Sequence, residues 1–385
     1  MATNYPQTEA PARLLSLDFF RGATVAAMIL VNNPGDWGNI YSPLEHAEWN
    51  GCTPTDLIFP SFLFIVGVSI AYAMSSKKAD PNLHASTLWK AFRRALILFG
   101  LGLFLSLFPK IFTAPMEALE HVRIPGVLQR IALVFFFASV IFLKTSEKNI
   151  FRLIIVLLGF YWALMTFVPV PGVGAANLEK ETNLGAWIDR LVLSEAHLWK
   201  SSKTWDPEGI LGTIPAIATG LVGVLAGAYL KRKDRDPAAK VSWLFCTGLV
   251  ATGLGLLWGL QFPINKALWT SSFVLYAGGI ATMILACCYW VIDVQQYTRF
   301  TKPFVVYGVN AITVFFVSGL LPRIMNMLSW EAADGSAWNL NTYLFSGFQS
   351  NLSPLNASLA WAVSFVLFWL LILWVMYNKR IIIKV

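Results

Sequence analysis

Long apolar stretches recur along the chain and are separated by shorter polar segments. Each stretch is roughly 20 residues long, the length that an α-helix needs to cross the hydrocarbon core of a bilayer. Backbone groups in lipid must pair within their own segment, so these stretches form helices; the alternating segments of a membrane barrel do not occur. The predicted helices cover residues 14–33, 55–75, 88–108, 124–143, 150–170, 209–230, 241–261, 269–293, 301–321 and 356–378.

The pattern therefore predicts an all-α polytopic membrane protein of about ten transmembrane helices around a central cavity. Composition agrees with this class: of 385 residues, 56% are hydrophobic and only 13% are charged, whereas soluble domains contain about 25% charged residues. We expect one transmembrane domain over residues 1–385, with a catalytic region at 13–143. Two long outer segments are expected at 171–208 and 322–355, the first with a short amphipathic helix at 184–193.

Most of the 29 Lys and Arg residues fall on one side of the predicted helices. Basic loops stay in the cytoplasm, so this side is expected to be cytoplasmic, and an even number of helices places both termini there. The lean loops suggest a bacterial inner membrane. The pI of about 9.3 then reflects topology, and no nucleic-acid partner is expected.

One polar loop between the first two predicted helices holds an unusual set of side chains. It reads EHAEWNG from Glu45 to Gly51 and contains His46, one of only four histidines. An imidazole changes charge near neutral pH, so at a membrane surface it can transfer a proton or carry an acyl group. Glu48 and Asp56 are close enough in sequence to orient the ring. The alternative is that His46 only hydrogen-bonds within its own loop.

Charged residues inside the predicted helices are the next candidates, because they are expensive in lipid and usually face a polar cavity. Asp18 and Arg21 are three residues apart and share one helical face. They form either an ion pair or, through Arg21, part of a site for an anionic donor. Arg130 needs a partner or a phosphate group. Arg93 and Arg94 could hold a nucleotide phosphate, although the positive-inside rule also explains them.

Polar residues at the outer ends of other helices have simpler explanations. Asp206 and Glu208 are expected in the first turn of the helix at 209–230, where carboxylates stabilise the helix dipole. Lys266 is expected to extend its ammonium towards interfacial water. Tryptophans of the long outer segments suit either stacking on sugar rings or an aromatic belt.

Motifs of soluble enzymes do not occur in the sequence. It contains no Gly-rich phosphate loop, no GxSxG turn and no metal-ligand spacing, so no metal site is predicted. The four cysteines give no disulfide framework.

Several motifs together resemble the heparan-α-glucosaminide N-acetyltransferase family. They are RLLSLDFFRGATVAAMILVNNPG (13–35), EHAEWNGCTPTDLIFPSFLFIVG (45–67), RIPGVLQRIAL (123–133), DPEGILGTIPAIATGLVGVLAG (206–227) and INKALWTSSFVL (264–275). The resemblance implies a multi-pass acyltransferase that takes acetyl-CoA from the cytosol and acetylates a glucosamine amine across the membrane. It places the active-site histidine on His46 and an asparagine of the first helix on Asn32.

The expected function is therefore transfer of an acetyl group from acetyl-CoA to an amino-sugar or glycan acceptor in contact with membrane lipids. His46 is expected to act as general base or acetyl carrier, and Asn32 as an oxyanion donor. The expected donor residues are Arg21, Arg93, Arg94 and Arg130, and the expected acceptor residues are Glu48, Trp49, Asn50, Asp56 and Lys266. A multi-pass transporter or flippase and an O-acetyltransferase of surface glycans remain as alternatives, and a homodimer is compatible with the sequence.

Overall fold

The computed structural model describes residues 14–331 and 335–383 and is dominated by α-helices. The helices within these residues are α1 Leu15–Asn32, α2 Ile58–Lys78, α3 His84–Leu107, α4 Lys110–Thr113, α5 Pro115–Glu120, α6 Val127–Lys144, α7 Glu147–Phe167, α8 Leu184–Leu193, α9 Thr213–Leu230, α10 Pro237–Gly259, α11 Ser271–Cys288, α12 Lys302–Val309, α13 Ala311–Met327, α14 Leu340–Gln349 and α15 Pro354–Asn378. A short antiparallel hairpin joins α13 to α14; its strands are β1 Ser329–Glu331 and β2 Ala337–Asn339. Short 3-10 turns occur at Ser42–Leu44, Thr55–Leu57, Pro81–Leu83 and Glu195–His197, and a π-helical turn at Tyr289–Val294 extends α11.

Side-chain caps explain where several of these helices begin. The Ser146 side chain accepts a hydrogen bond from Asn149 N at the start of α7, and Asp236 accepts from two backbone amides at the start of α10. Asn183 caps α8 in the same way. Such caps satisfy amides that have no partner inside the helix. The amphipathic helix predicted at residues 184–193 is confirmed as α8.

All ten predicted spans fall on helices, but they do not all have the same character. Among the described residues, eight helices are long and apolar enough to cross a membrane, or nine if the bent pair α12 and α13 counts as one span. The span predicted at 88–108 corresponds to α3, which is 24 residues long but carries Lys90, Arg93 and Arg94 in its first half. The predicted all-α polytopic membrane fold is therefore confirmed, with eight or nine candidate membrane spans among the described residues by length and apolarity.

The prediction of one continuous helix at 301–321 is wrong. α12 and α13 meet at an angle of 82°, and Asn310 between them leaves the helical conformation. Its side chain donates to the Ile381 carbonyl oxygen at 3.1 Å and accepts from the Ile383 amide at 2.9 Å. These bonds tie the segment after α15 to the break, an interaction too distant in sequence to be predicted.

The helices that carry the polar cavities approach their neighbours at glycines. A Cβ added at Gly67 of α2 would overlap the Gly220 carbonyl oxygen of α9, and one at Gly223 would overlap the Phe64 carbonyl oxygen. Such glycine contacts let helix backbones approach closely where lipid supplies no hydrophobic driving force. α1 is joined to α12 in the same way, through Gly22 and Gly308. The walls of the cavities are therefore held backbone to backbone.

Other helices face outwards. Only 17% of the residues in the most apolar stretch of α10 are buried, and only 22% of those in α15. Their exposed side chains include Leu249, Leu257 and Leu371. Apolar surface on a membrane-spanning helix is the surface that contacts lipid tails. These two helices consequently form part of the lipid-facing surface.

Candidate active site

His46 and Asp56 form a close pair beside the first turn of α2. The distance between His46 Nδ1 and Asp56 Oδ1 is 2.7 Å, and half of the imidazole is exposed whereas the carboxylate is 1% exposed. An ionised carboxylate can only accept hydrogen bonds, so His46 donates from Nδ1 and its Nε2 carries the lone pair. This arrangement gives the ring the form of a general base.

Asp56 also organises the loop that contains His46. Its Oδ2 accepts hydrogen bonds from Ala47 N at 3.1 Å and Thr53 N at 3.0 Å, and the Thr53 hydroxyl donates to the Glu45 carbonyl oxygen at 2.6 Å. The carboxylate thus folds the EHAEWNG segment around itself. Of the carboxylates that were expected to orient His46, Asp56 is the one that hydrogen-bonds it.

Lys266 lies over His46, where the sequence indicated a lysine that reaches interfacial water. Its Nζ is 3.2 Å from His46 Nδ1 and 3.3 Å from Nε2, and 3.8 Å from Asp56 Oδ1. Burial lowers the pKa of this lysine, against the opposing effect of the carboxylates of Glu208 and Asp56. The interpretation of Lys266 as a snorkelling residue is therefore wrong.

The loop that carries Lys266 is held against the His46 loop by backbone and amide contacts. Gly51 N donates to the Ile264 carbonyl oxygen at 2.8 Å, and the Asn265 amide donates to Asn50 Oδ1 at 3.2 Å. Gly51 has φ of +112°, a backbone region that favours glycine. Asn50 thus joins the two loops, and it does not line the cavity beside His46.

A second charged group is centred on Arg123, which lines the same cavity as His46. Arg123 donates to both oxygens of Asp206, at 2.8 Å and 2.6 Å, and to Glu208 at 2.5 Å. Both acids lie before α9, which begins only at Thr213, so their expected role in its first turn is wrong. Burial would raise the pKa of Glu208, but the cations around it, Arg123 first, keep that pKa low. Arg123 was not identified from the sequence because its partners are more than 80 residues away.

Asp189 on α8 lies next to this group and also went unrecognised. It is 2% exposed and accepts a hydrogen bond from Ile210 N at 2.8 Å. Burial raises the pKa of Asp189 to about 7. The negative charge of nearby Asp206 adds to this increase, and the hydrogen bond from Ile210 N opposes it. An aspartate in the middle of a short amphipathic helix gives no indication of such burial in the sequence.

A cavity of about 360 Å³ is lined by His46 and Lys266 on one side and by Arg123 and Glu208 on the other. Among the predicted site residues, those that line it are Asn32, His46, Glu48, Trp49, Asp56 and Lys266. Three tryptophans form one wall: Trp49 and Trp205 meet edge to face at 5.1 Å between ring centroids, and Trp199 and Trp205 at 6.0 Å. Their position in a cavity wall, beside His46, distinguishes them from a lipid-facing belt.

Asn32 ends α1 and lines a second cavity as well, of about 310 Å³. The two cavities share Asn32, Arg123, Met28 and Val127. The second cavity is polar on several sides, and Gln129 lines it with a buried side-chain nitrogen that has no hydrogen-bond partner among the described residues.

A third cavity, of about 490 Å³, lies towards the opposite ends of α1 and α2. Arg21, Ser69 and Arg94 line it; Arg21 also pairs with Asp18 at 3.0 Å and donates to the Ser69 hydroxyl at 2.8 Å. Arg21 and Asn32 are eleven residues apart on α1, a separation of about 17 Å along a helix. The predicted ion pair of Asp18 is present, and Arg21 lines a cavity at the same time.

The other two predicted donor arginines lie elsewhere. Arg93 is exposed and does not line the third cavity. Arg130 is fully buried and donates to the carbonyl oxygens of Pro207 at 2.9 Å and Gly209 at 3.0 Å, with its guanidinium 5.1 Å from the Trp269 ring centroid. Arg130 therefore supports the segment that carries Glu208, on the His46 side of the protein.

Within the described ranges, no cluster of three or more His, Cys, Asp or Glu is placed to hold a metal ion. The four cysteines are unpaired as disulfides. Cys52 is the one nearest His46, and burial raises its pKa to about 12. A thiol of that pKa is a poor nucleophile at neutral pH.

Comparison with known proteins agrees with the resemblance of the sequence motifs. Residues 13–253 match the family described as "Heparan-alpha-glucosaminide N-acetyltransferase, catalytic". Curated proteins named heparan-alpha-glucosaminide N-acetyltransferase from Homo sapiens and Mus musculus are each 30% identical to the chain over 97% of its length. The chain spans 60% of the length of these relatives. It belongs to the heparan-alpha-glucosaminide N-acetyltransferase catalytic family.

Proposed function

We propose that the protein is a membrane-embedded N-acetyltransferase that moves the acetyl group of acetyl-CoA to the amine of a glucosamine-type sugar. The observation that carries this proposal is the pair of His46 and Asp56 at a cavity that Asn32 also lines. Family membership supports the same reaction class, since the curated relatives are named N-acetyltransferases of a glucosaminide.

His46 is the general base in this proposal. An amine with a pKa well above 7 must lose a proton to attack a thioester, and the imidazole Nε2 is the acceptor for that proton. The ammonium first loses one proton through Nε2 to solvent. The neutral amine then forms the C–N bond and gives a second proton to Nε2, and the thiolate that leaves as the C–S bond breaks takes this proton from His46. Asp56 holds the ring in the required tautomer throughout, because its Oδ1 accepts a hydrogen bond from the N–H group at Nδ1.

Asn32 is the proposed hydrogen-bond donor to the oxyanion of the tetrahedral intermediate. Its amide lies at the junction of the His46 cavity and the second cavity. A donor fixed at the end of a helix needs little reorganisation when charge develops on the carbonyl oxygen. This position is where an acetyl group coming through the second cavity would meet an amine in the first.

The donor is proposed to reach His46 along α3 from the third cavity. Arg94 and Leu98 of α3 line the third cavity, and Gly102 and Ser106 line the second. These residues are four apart and so lie on one face of the helix. Arg21 and Arg94 suit the phosphates, since arginine binds phosphate oxygens with paired hydrogen bonds. The unpartnered amide of Gln129 suits the amide-containing arm of coenzyme A.

The acceptor is proposed to bind on the other side of His46, against the tryptophan wall. Aromatic faces and edges suit sugar rings, and Glu48 and Glu208 provide carboxylates for hydroxyl or ammonium groups. The reactive amine would thus approach Nε2 from the side opposite to the donor.

The proposed sidedness is supported by the loops at the ends of the helices. Lys78 donates to the Thr145 carbonyl oxygen and Arg232 pairs with Glu147, so three basic loops meet at the Arg21 end of the protein. The positive-inside rule supports a cytoplasmic Arg21 end, cytoplasmic termini and an outer His46 loop in a bacterial inner membrane.

The test is acetyl transfer by purified protein in proteoliposomes that contain acetyl-CoA on one side and a glucosamine-terminated acceptor on the other. His46→Ala should lower kcat by about 10²–10⁴-fold, the usual contribution of a general base. His121→Ala is the matched control, because His121 is exposed and only contacts the Glu117 carbonyl oxygen of its own helix. Equal turnover of both variants would exclude His46, and an acetylated His46 in mass spectra would indicate a carrier instead of a base.

A further inference from the structure

Lys266 occupies an unusual position relative to the His46 ring. Its Nζ is nearly equidistant from the two ring nitrogens, at 3.2 Å from Nδ1 and 3.3 Å from Nε2. The in-plane position at Nδ1 already belongs to Asp56 at 2.7 Å. In the ring plane, a point this close to both nitrogens would overlap Cε1, which lies between them. The Lys266 ammonium therefore lies above the face of the imidazole and leaves the Nε2 lone pair in the ring plane.

This position is built into the surrounding loop. Trp269 is fully buried with a φ of +55°, and its amide donates to the Lys266 carbonyl oxygen at 3.1 Å. Leu268 N donates to Asn265 Oδ1 at 2.9 Å, and Asn265 is in turn bonded to Asn50 of the His46 loop. Only 19% of the Lys266 side chain is exposed. The lysine is consequently directed onto the ring by the fold of both loops.

We propose that Lys266 is a positioning residue for acetyl transfer, whose ammonium disfavours a second positive charge on His46 and so keeps Nε2 available as a base. This inference rests on the proposed function of His46. Asp56 has the opposite influence, because a carboxylate at 2.7 Å stabilises a protonated imidazole.

The charges around the ring leave Lys266 as the cation that faces it directly. Asp56 faces His46 from α2, and Glu48 lines the same cavity from the His46 loop. Arg123 and Glu208 line the cavity from other segments, but Arg123 is paired with Asp206 and Glu208. Burial lowers the pKa of Lys266, with Glu208 and Asp56 opposing that effect.

The experiment compares Lys266→Met, which removes the charge at similar length, with Lys266→Arg, which retains it. Lys200→Met is the control, because Lys200 is exposed in the segment before Asp206 and does not line the cavity. For each protein, kcat/KM of acetyl transfer is measured between pH 5 and pH 9. A like charge at this distance corresponds to a shift of about one to two pH units.

In Lys266→Met, the acidic limb of the kcat/KM profile should move to higher pH by about one to two pH units. In Lys266→Arg and Lys200→Met, this limb should stay within about half a pH unit of its position in the unsubstituted protein. A uniform loss of activity at every pH, with an unmoved limb, would overturn the proposal and leave Lys266 a structural or acceptor-binding residue. An acetyl group found on Lys266 during turnover would also overturn it, because the lysine would then be a nucleophile.

A second measurement separates this inference from the proposed function. The ring of His46 is followed by NMR in protein with labelled histidine, without donor or acceptor, and His46→Gln identifies its signals. The titration midpoint should rise by about one to two pH units in Lys266→Met even if acetyl transfer is absent. An unchanged midpoint refutes the role of Lys266, whereas a raised midpoint in an inactive protein refutes only the proposed function.

Discussion

Replacing Asp56 by asparagine is the most direct way to separate the orientation of His46 from its presence. Two backbone amides, Ala47 N and Thr53 N, donate to Oδ2, and His46 donates to Oδ1. The asparagine oxygen will remain with the two amides, so its NH₂ group will face Nδ1. His46 must then accept at Nδ1 and carry its proton on Nε2, which removes the lone pair that the acceptor amine needs.

The size of the effect follows from the cost of restoring the active tautomer. Turning the asparagine amide over would place its NH₂ group against Ala47 N and Thr53 N, and each buried donor left without a partner costs about 1–3 kcal/mol. For the two donors the total is about 2–6 kcal/mol, which corresponds to about 30- to 20,000-fold, since 1.4 kcal/mol is tenfold. We therefore expect Asp56→Asn to lower kcat within that range while KM for acetyl-CoA changes little.

The assay is the initial rate of acetyl transfer in proteoliposomes, with the thermal midpoint measured on the same preparations. Asp36→Asn is the matched control, because Asp36 is also a loop carboxylate that accepts from a backbone amide, Gly38 N, but lies away from His46. If Asp56→Asn and Asp36→Asn have rates within threefold of each other, the tautomer argument is refuted.

Three other substitutions test different parts of the structure. Arg94→Gln should raise KM for acetyl-CoA about tenfold or more, since a charge-assisted hydrogen bond contributes about 1.5–3 kcal/mol. Arg93→Gln is the control and should leave this KM nearly unchanged. If the two variants have equal KM values in a donor titration, the third cavity is not part of the donor path. Gly67→Val should lower the thermal midpoint by several degrees, because the new side chain overlaps the Gly220 carbonyl oxygen; an unchanged midpoint would mean that α2 and α9 can separate. The pKa of Asp189 is about 4 in the unfolded chain and about 7 in the folded protein, so folding takes up a proton at any pH between these two values. The contribution of Asp189 to stability is therefore fully present below about pH 4 and is lost as the pH rises to 7. Asp189→Asn should therefore flatten that pH dependence and be more stable than the original protein at pH 8, by up to about 4 kcal/mol; parallel stability curves would contradict this.

Much of the helical architecture could be predicted from the sequence, because apolar length and polar loops are local properties. The boundaries of α8 were predicted correctly from amphipathic spacing and the preceding polar segment. The break at Asn310 could not be predicted, since it depends on hydrogen bonds to Ile381 and Ile383.

In the candidate site, too, the local contacts could be predicted from the sequence and the long-range contacts could not. His46 and Asp56 are ten residues apart, so their proximity could be inferred from the polar loop that contains one and precedes the other. Arg123 and Glu208 become neighbours only when α6 packs against α9, and Lys266 reaches His46 across 220 residues. Residues whose partners come from distant segments carry no local pattern. Arg123 was therefore missed and Glu208 was given a simpler role, whereas Lys266 was expected to reach interfacial water or to bind the acceptor, without a contact to His46.

The position of Arg21 and Asn32 on one helix has a consequence for the acyl donors that the proposed site would accept. Arg21 and Asn32 belong to one helix, and Gly22 fixes that helix to the backbone of α12. The spacing of about 17 Å between them is therefore set by helix rise and does not adjust to the ligand. In the proposed donor path, a donor held by its phosphates at Arg21 would reach His46 only if its reactive carbon lay at the matching distance, so the helix would select donors by the length of the arm between phosphate and thioester.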